Sequence, residues 1–221
     1  MYIELHKELT ELVSGLKIGC IVYKDITISN SPQMIRGRLQ LYQESIAFEL
    51  DEKPLTQYKG ITEWRSIFKQ IGMDPSRYRP SHEALLRRIA KRQFVTSVNS
   101  AADINNFFSI QYGLPIGIYD FDKIVGNVTI RLGSENENYE GLNNRDIHVH
   151  NKLISSDQLG PFGSPFVDSK RTCVTEDTTN ALQIIYLDPS MTNENAHELL
   201  NAIHHMFTQV NGGTADCFVK Q

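Results

Sequence analysis

The chain has 221 residues, of which 40% are hydrophobic and 22% are charged, and its formal net charge is −4 at pH 7. These values are ordinary for a globular chain that can bury a sizeable core. No apolar run approaches the roughly 20 residues that span a bilayer, and the N-terminus is unlike a secretory signal peptide, so we expect no membrane partner. The three cysteines are far apart and form no CxxC motif, which favours a reducing, cytoplasmic location.

The first half of the chain is predicted to contain one strand followed by helices. Within residues 16–28, Ile18, Cys20 and Val22 recur at alternate positions and Ile26 and Ile28 resume this spacing, which is typical of a strand. Ser31 and Pro32 are expected to begin a helix, with Ser31 as its cap and Pro32 at its first position. Apolar residues at helical spacing predict the later helices, two of which should end at glycines. These later helices are predicted over residues 63–71, from Ser81 onward, and over residues 100–112.

The second half changes to short segments rich in Val, Ile, Thr and Tyr, separated by turn residues. Residues 133–144 are polar and are predicted to form an exposed hairpin loop. Thr192 is expected to cap a final helix that ends at Gly212-Gly213, and residues 217–219 are a candidate last strand. The other strands are predicted over residues 115–119, 127–132, 147–150, 153–156, 172–175 and 181–187.

This order of elements predicts an α+β fold, with helices packed on mixed sheets, rather than strict alternation of strands and helices. The sequence contains no repeat and no linker rich in Pro, Ser or Gly, so a single domain over residues 1–221 is expected. Its parts would be helix-rich residues 30–112, strand-rich residues 113–190 and a C-terminal helix over residues 192–211.

Positive charge is concentrated between residues 64 and 92. This segment holds eight Lys or Arg residues and two acidic residues, a net charge of +6, which leaves −10 for the rest of the chain. A basic region on an acidic protein indicates a local anionic partner. The alternative is a solvated helix face with structural ion pairs.

Two polar segments are candidates for a binding site. Asp103 and Asn106 lie three positions apart on a predicted helix, and Gly117 in the following strand permits close approach of a ligand. Residues 168–180 carry several hydroxyl groups with acidic residues between them, and such a loop could position water or hold an amino group. Simpler structural roles stay open for both segments: a tie between helix and strand, and a network of caps and turns.

Other kinds of site find little support. His148 and His150 share one face of a predicted strand, and three more histidines lie on or near the last helix, but nothing in the sequence joins the two groups into a metal site. The phosphate-binding and dinucleotide-binding glycine motifs are absent, as is the GxSxG motif of serine hydrolases. We therefore expect neither a metal nor a cofactor.

Several stretches, taken in order, resemble the B3/B4 domain of the phenylalanyl-tRNA synthetase β subunit, in a small stand-alone form. The resemblance covers residues 16–187. The matching residues are Glu63-Trp64-Arg65, residues 72–88, Val98-Asn99, Asp103, Asn106, Gly113-Leu114-Pro115, Tyr119-Asp120, Asp168-Ser169 and residues 175–178.

The resemblance implies an editing activity. In the synthetase this domain hydrolyses tyrosine wrongly attached to the phenylalanine tRNA, in a pocket where the two halves of the domain meet. The synthetase's catalytic module has no room in 221 residues, so we expect a trans-acting aminoacyl-tRNA deacylase that does not charge tRNA. An aminoacylated tRNA is the implied partner, a free amino acid is a possible ligand, and no DNA is expected.

Roles for individual residues follow from the same resemblance. The asparagine of the family's pocket helix falls on Asn106, whereas the family's pocket histidine falls on Gly117. The implied catalytic residues are Asn106, Glu176 and Thr178. The implied substrate-binding residues are Asn99, Asp103, Gly117, Tyr119, Asp168 and Ser169, and the implied tRNA-binding residues are Arg77, Arg79, Arg87 and Arg88.

Two other functions remain open at the level of sequence. A non-catalytic module that binds an amino acid or tRNA is favoured by Gly117, which stands where the family has a histidine. A protein-interaction domain is the third hypothesis, and a large exposed apolar patch away from the pocket would distinguish it.

Overall fold

The computed structural model describes residues 2–58 and 60–221, and these residues form the predicted α+β architecture. Within them the helices are α1 (Lys7–Leu12), α2 (Gln33–Glu52), α3 (Ile61–Gln70), α4 (Ser81–Ala90), α5 (Ser100–Tyr112) and α6 (Asn193–Asn211). The strands are β1 (Ile3–Leu5), β2 (Lys17–Lys24), β3 (Ile116–Asp120), β4 (Val128–Leu132), β5 (Asn138–Glu140), β6 (Asp146–His148), β7 (Leu153–Asp157), β8 (Gly160–Gly163), β9 (Ala181–Leu187) and β10 (Thr214–Lys220).

The central sheet has the strand order β10-β2-β9-β3, and all of its neighbouring strands are antiparallel. Every residue of β9 is buried, because the strand lies inside the sheet and is covered on both faces. This explains why its sequence is apolar at every position except Gln183, instead of alternating. A second sheet has the order β1-β4-β7-β8, and β5 and β6 form a separate hairpin.

Aromatic side chains join the helices to the central sheet. Tyr23 of β2 stacks on Phe207 of α6 with 4.0 Å between ring centroids. Trp64 of α3 is fully buried and meets Tyr186 of β9 edge to face at 6.1 Å. Burying each such ring removes some 150–250 Å² from water, so these contacts fix α3 and α6 on the sheet.

The ends of α5 lie where the sequence predicted them and are set by local interactions. Asn99 has an extended backbone and its side chain accepts a hydrogen bond from the Ala102 amide at 2.8 Å, which caps the first turn. Gly113 ends the helix with φ of 66°. A side chain on Gly60 would place its Cβ 1.8 Å from the Gly113 carbonyl oxygen, so glycine is required where the start of α3 meets the end of α5.

Four predictions about local structure were wrong. The strand predicted over residues 16–28 ends at Lys24. Ser31 does not cap α2, because its hydroxyl donates instead to Asp103 at 2.6 Å and Pro32 occupies the cap position. Residues 172–175 form no strand; their only ladder contact in the described structure is a bridge between Cys173 and Tyr119. Residues 133–144 are not wholly an exposed loop, since they contain β5 and the buried Tyr139.

In the described part of the chain, no helix combines the length and the apolar character needed to cross a membrane.

Candidate functional site

A cavity of about 300 Å³ lies between α5, β3 and the segment that follows β8. We call it the α5 pocket. Its apolar wall contains Val98, Ala102, Ile118, Leu142 and Val174. Its polar wall contains Asn99, Asn105, Asn106, Asp168 and Cys173.

Asn106 supplies an amide without a fixed partner. It is half-buried, it lines the α5 pocket, and among the described residues its side chain makes no hydrogen bond. Asn99 is a different case, because its side-chain oxygen already caps α5 through the Ala102 amide. The Asn99 NH₂ group remains as a donor, so two amide groups on one helix face are available to an acyl group in the pocket.

Asn105, beside Asn106, is held by a buried chain of polar groups that sequence reasoning missed. The Tyr23 hydroxyl donates to Gln183 at 2.8 Å, and Gln183 donates to the Asn105 oxygen at 3.0 Å. Asn105 in turn donates to the Ile116 carbonyl at 3.0 Å. Because these bonds orient the Asn105 amide, the chain ties the pocket helix to β2, β9 and the start of β3.

Asp168 is the only acidic side chain in the wall of the α5 pocket as the structure describes it. Its Oδ1 accepts a hydrogen bond from the buried Tyr119 hydroxyl at 2.6 Å. Burial raises the pKa of Asp168 to about 7, against the lowering effects of the Tyr119 hydroxyl and the Ser164 amide. A carboxyl whose pKa is raised toward neutrality is suited to act as a general base at physiological pH.

Two glycines make room for the Tyr119 hydroxyl. A Cβ on Gly117 would lie 2.1 Å from this oxygen and 3.0 Å from Asp168 Oδ1. A Cβ on Gly163 would lie 2.2 Å from the same hydroxyl. Any side chain at Gly117 or Gly163 would displace Tyr119 from Asp168, so the pair of glycines preserves this hydrogen bond.

Comparison of the sequence with known protein families gives a match that includes the α5 pocket. Residues 63–209 match the model of the B3/4 domain, and this span contains every residue of the α5 pocket. The chain belongs to the B3/4 domain family. It is 36% identical to the uncharacterized protein YhzB of Bacillus subtilis (strain 168) over 97% of both chains.

Other relatives of this B3/4 domain are much longer proteins. The phenylalanine–tRNA ligase beta subunit of Fusobacterium nucleatum is 28% identical over 46% of this chain, but the match spans only 13% of that subunit. The same subunit of Ralstonia nicotianae is 33% identical over 41% of this chain, and the match spans 11% of that subunit. A solved N-terminal fragment of the phenylalanyl-tRNA synthetase β-subunit from Pyrococcus horikoshii aligns with 99% of this chain and 50% of that one, at 13% identity and a TM-score of 0.46.

Several residues that the sequence suggested for substrate binding lie outside the α5 pocket of this B3/4 domain. Asp103 is fully buried, and its carboxylate accepts from Ser31, from the Ser97 hydroxyl and from the Val98 amide at 2.9 Å. Although Asp103 is three residues from Asn106, its acceptors are already used to fix the start of α5. Ser169 is also buried, and its hydroxyl accepts from the Arg171 amide at 3.0 Å.

The hydroxyl-rich loop of the B3/4 domain forms the network of turns that was the simpler alternative. Thr178 is buried, donates to Asp120 at 2.8 Å and accepts from the Thr175 amide at 3.0 Å. Glu176 is exposed, and it does not line the α5 pocket. The geometry therefore brings Asn99, Asn106 and Asp168 together and leaves Glu176 and Thr178 apart from them.

The four arginines suggested for tRNA contact differ in their surroundings. Arg77, Arg79 and Arg88 are exposed. Arg87 donates to Glu83 at 2.7 Å, and Arg65 binds the same buried carboxylate with two hydrogen bonds of 2.8 and 2.7 Å. The charge of Arg87 is thus partly balanced by the Glu83 carboxylate. Among the described residues, Arg77, Arg79 and Arg88 form no ion pair, so their charges are available at the surface.

Two of the exposed arginines, Arg77 and Arg79, are linked to the pocket through Tyr78. Its ring lies 5.6 Å from that of Phe166, two residues before Asp168 in the chain. The Ser81 amide also donates to the Pro165 carbonyl at 2.8 Å. Arg77 and Arg79 therefore flank a residue that packs directly on the loop carrying Asp168.

Among the described residues, no three His, Cys, Asp or Glu side chains converge in a way that could hold a metal ion. His148 is exposed beside Asp146, with 3.6 Å between Nε2 and Oδ2.

Proposed function

We propose that this B3/4 domain is an aminoacyl-tRNA deacylase that acts in trans and does not itself attach amino acids to tRNA. The observation that carries the proposal is the meeting of Asp168, with a pKa of about 7, and the unbonded Asn106 amide in one pocket of the family-matched segment. The match to phenylalanine–tRNA ligase beta subunits supports aminoacyl-tRNA as the substrate.

Hydrolysis of this ester requires little more than an oriented water and a stabilised carbonyl oxygen. Water attacks the acyl carbon, Asp168 takes its proton, and the carbonyl oxygen gains negative charge. The amide groups of Asn106 and Asn99 donate to that oxygen. The bond from carbon to the ribose oxygen then breaks, and Asp168 returns the proton to the leaving ribose oxygen, which releases free amino acid and tRNA with a ribose hydroxyl.

The assignment shifts the catalytic roles from those inferred at the level of sequence. Asn106 keeps its role, and Asp168 moves from substrate binding to general base. Glu176 and Thr178 are no longer assigned catalytic roles, because Glu176 is exposed and the Thr178 hydroxyl donates to Asp120. Tyr119 positions Asp168 and has no direct contact with substrate in this scheme.

The arginine-rich surface supplies the contact with tRNA. Phosphate contacts from Arg77, Arg79 and Arg88 orient the nucleic acid without reading its sequence. Since Tyr78 packs against the Asp168 loop, tRNA bound there would present its acylated end toward the α5 pocket.

The test is hydrolysis of a panel of tRNAs that carry labelled amino acids, beginning with tyrosine on the phenylalanine tRNA. We expect one ester to be cleaved well above the spontaneous rate, and Asn106→Ala to reduce that rate by about 10²-fold, the usual effect of removing one oxyanion donor. Glu135→Gln, an exposed change outside the pocket, is the matched control and should leave the rate unchanged. Wild-type rates at background for every ester would refute the proposal.

A second candidate function is a binding module without turnover. Gly117 favours it, because the space where the family has a histidine is filled here by the Tyr119 hydroxyl. This module would be stabilised against heat by one free amino acid or by tRNA while hydrolysing no ester. Thermal stabilisation measured beside the hydrolysis panel separates the two functions.

A further inference from the structure

Helix α2 carries an apolar ridge on its outer face, formed by Met34, Leu41 and Phe48. These side chains are 65%, 69% and 70% exposed. They are spaced seven residues apart, so they lie on one side of the helix, two turns from each other. The opposite side of α2 is buried through Ile35 and Leu39, among others. The helix is therefore apolar on both sides, although only one side is covered by the fold.

A groove runs beside this ridge, between α2, α5 and α6. Its volume is about 680 Å³, more than twice that of the α5 pocket. Leu41 belongs both to the ridge and to the groove wall. The groove is lined by Gly37, Arg38, Leu41, Tyr42, Ser45, Phe107, Phe108, Gln111, Tyr112, Ala202 and Met206.

Gly37 is a residue that the fold of one chain does not require. A Cβ at this position would meet nothing within 4 Å, and the residue lies inside a regular helix. Glycine in a helix interior is destabilising relative to alanine, because it loses more backbone freedom on folding. Small residues on an exposed helix face do, however, allow the backbone of another helix to approach closely, and Ser45 is a second small residue in the same groove.

The charges of α2 are divided between its two halves. Arg36 and Arg38 lie in the N-terminal half, whereas the acidic residues lie in the C-terminal half. The sequence of α2 is arranged symmetrically about Leu41. Arg38 and Glu44 each lie three residues from it, Gly37 and Ser45 four, and Met34 and Phe48 seven. The acidic residues are Glu44, Glu49, Asp51 and Glu52.

We propose that the ridge and groove of α2 form the interface of a homodimer, in which a second copy of this chain packs its α2 antiparallel to the first. A two-fold axis at Leu41 places Met34 opposite Phe48 of the second copy and Arg38 opposite its Glu44. In this arrangement the two ridges pack against each other across the axis, and Gly37 of each copy lies opposite Ser45 of the other, where the small residues let the two helices approach closely.

The charge pattern selects this partner and this direction. Antiparallel packing joins the basic half of each helix to the acidic half of the other, while parallel packing would join like charges. A nucleic acid would be repelled by the acidic half. The face is therefore complementary to itself, as the interface of a two-fold dimer must be.

The test is sedimentation velocity of the purified chain over a wide range of concentration. We expect a dimer, and we expect Leu41→Asp to weaken it at least tenfold, since the change puts a charge at the two-fold axis. Leu159→Asp is the matched control: Leu159 is 64% exposed, lies far from α2 in sequence, and should leave the dimer intact.

A charge exchange tests the antiparallel pairing and does not depend on the folding of Leu41→Asp. Arg38→Glu and Glu44→Arg should each weaken self-association, because each places like charges across the axis. An equimolar mixture of the two variants should recover a heterodimer, since both cross-axis pairs are then attractive. A wild-type chain that is monomeric at every concentration, a dimer insensitive to Leu41→Asp, or a mixture without recovery would overturn the proposal.

Discussion

The hydrogen bond between Tyr119 and Asp168 joins two residues on which the chemistry of the pocket depends. The Tyr119 hydroxyl lowers the pKa of Asp168, while burial raises it to about 7. After the spontaneous rate is subtracted, the rate of hydrolysis should therefore increase as pH rises through about 7 and then level off.

Tyr119→Phe should move this midpoint upward, because the variant removes a donor that stabilises the ionised carboxylate. We expect a shift of about one pH unit, together with a lower rate at pH 7, in pH profiles of single-turnover hydrolysis. Tyr139→Phe, another buried tyrosine change, is the control, since Tyr139 donates to Ser164 and Val167 and not to Asp168. An unchanged midpoint in Tyr119→Phe would show that Asp168 is not the titrating base.

His82 is a second buried titratable residue, and it affects stability rather than chemistry. Burial lowers its pKa to about 4, against the raising effects of the neighbouring Glu83 carboxylate and the Gly60 backbone. A folded-state pKa below the unfolded value of about 6.5 means that its contribution to stability is complete above pH 6.5 and is lost as pH falls toward 4.

His82→Leu should remove this acid sensitivity. Between pH 7 and pH 5, His82 should account for about 2 kcal/mol of the change in the free energy of unfolding, and urea denaturation at both pH values would measure it. Asp168 acts in the opposite direction in this range, because its raised pKa favours the folded state as it becomes protonated. The difference between variant and wild type isolates His82, and identical pH dependence in the two would contradict its buried, uncharged state.

At the scale of elements, Glu83 fastens α4 to α3. Its carboxylate is fully buried and binds Arg65 of α3 and Arg87 of α4. Although burial raises the pKa of Glu83, these hydrogen bonds hold it below its usual value. Removing one member of such a cluster leaves the other charges without their partner.

Glu83→Gln should lower the free energy of unfolding by about 2–4 kcal/mol, somewhat less than for a fully buried pair because both arginines are partly exposed. Glu63→Gln on the exposed side of α3 is the matched control and should have little effect. Urea denaturation of the three proteins at pH 7 would measure both changes. Equal stability of Glu83→Gln and wild type would mean that the cluster is only a surface ion network.

Elements with local signals could be predicted from the sequence, and elements that depend on distant contacts could not. The bounds predicted for α5, about residues 100–112, agree with the structure because Asn99 and Gly113 fix its ends locally. The final helix was capped by Thr192 as expected. By contrast, Ser31 looks like a cap in the sequence, but the buried Asp103 carboxylate, 72 positions away, takes its hydroxyl.

The same distinction holds for the candidate site. The resemblance supplied Asn106 and Asp168 as residues of interest, but not their juxtaposition with Tyr119, which is 49 positions from Asp168. Asn105 was missed because its role depends on Gln183 and Tyr23, which reach it from two different strands. A polar side chain inside the apolar run of β9, Gln183, was the one signal that could have pointed to this buried chain.

At the scale of the whole molecule, the charge distribution predicts how tRNA binding depends on salt. Arg79 and Arg88 are exposed on the same basic region. Replacing each with Ala should weaken binding to all tRNAs similarly and reduce the slope of log affinity against log salt by about one. Arg145→Ala, exposed on the β5–β6 hairpin, is the control. A salt slope unchanged in both variants would place the tRNA elsewhere.

The central claim is that the α5 pocket hydrolyses an aminoacyl-tRNA ester with Asp168 as the base. The most direct test is the rate of single-turnover hydrolysis at pH 7, by wild type and by Asp168→Asn, of the aminoacyl-tRNA that the panel identifies as the substrate. Asn keeps the shape of the side chain and can still accept from Tyr119, but it cannot take a proton from water. Loss of a general base predicts a rate at least ~10²-fold lower in the variant, with tRNA binding unchanged. Equal rates for the two proteins would contradict the assignment of the α5 pocket as a hydrolytic site.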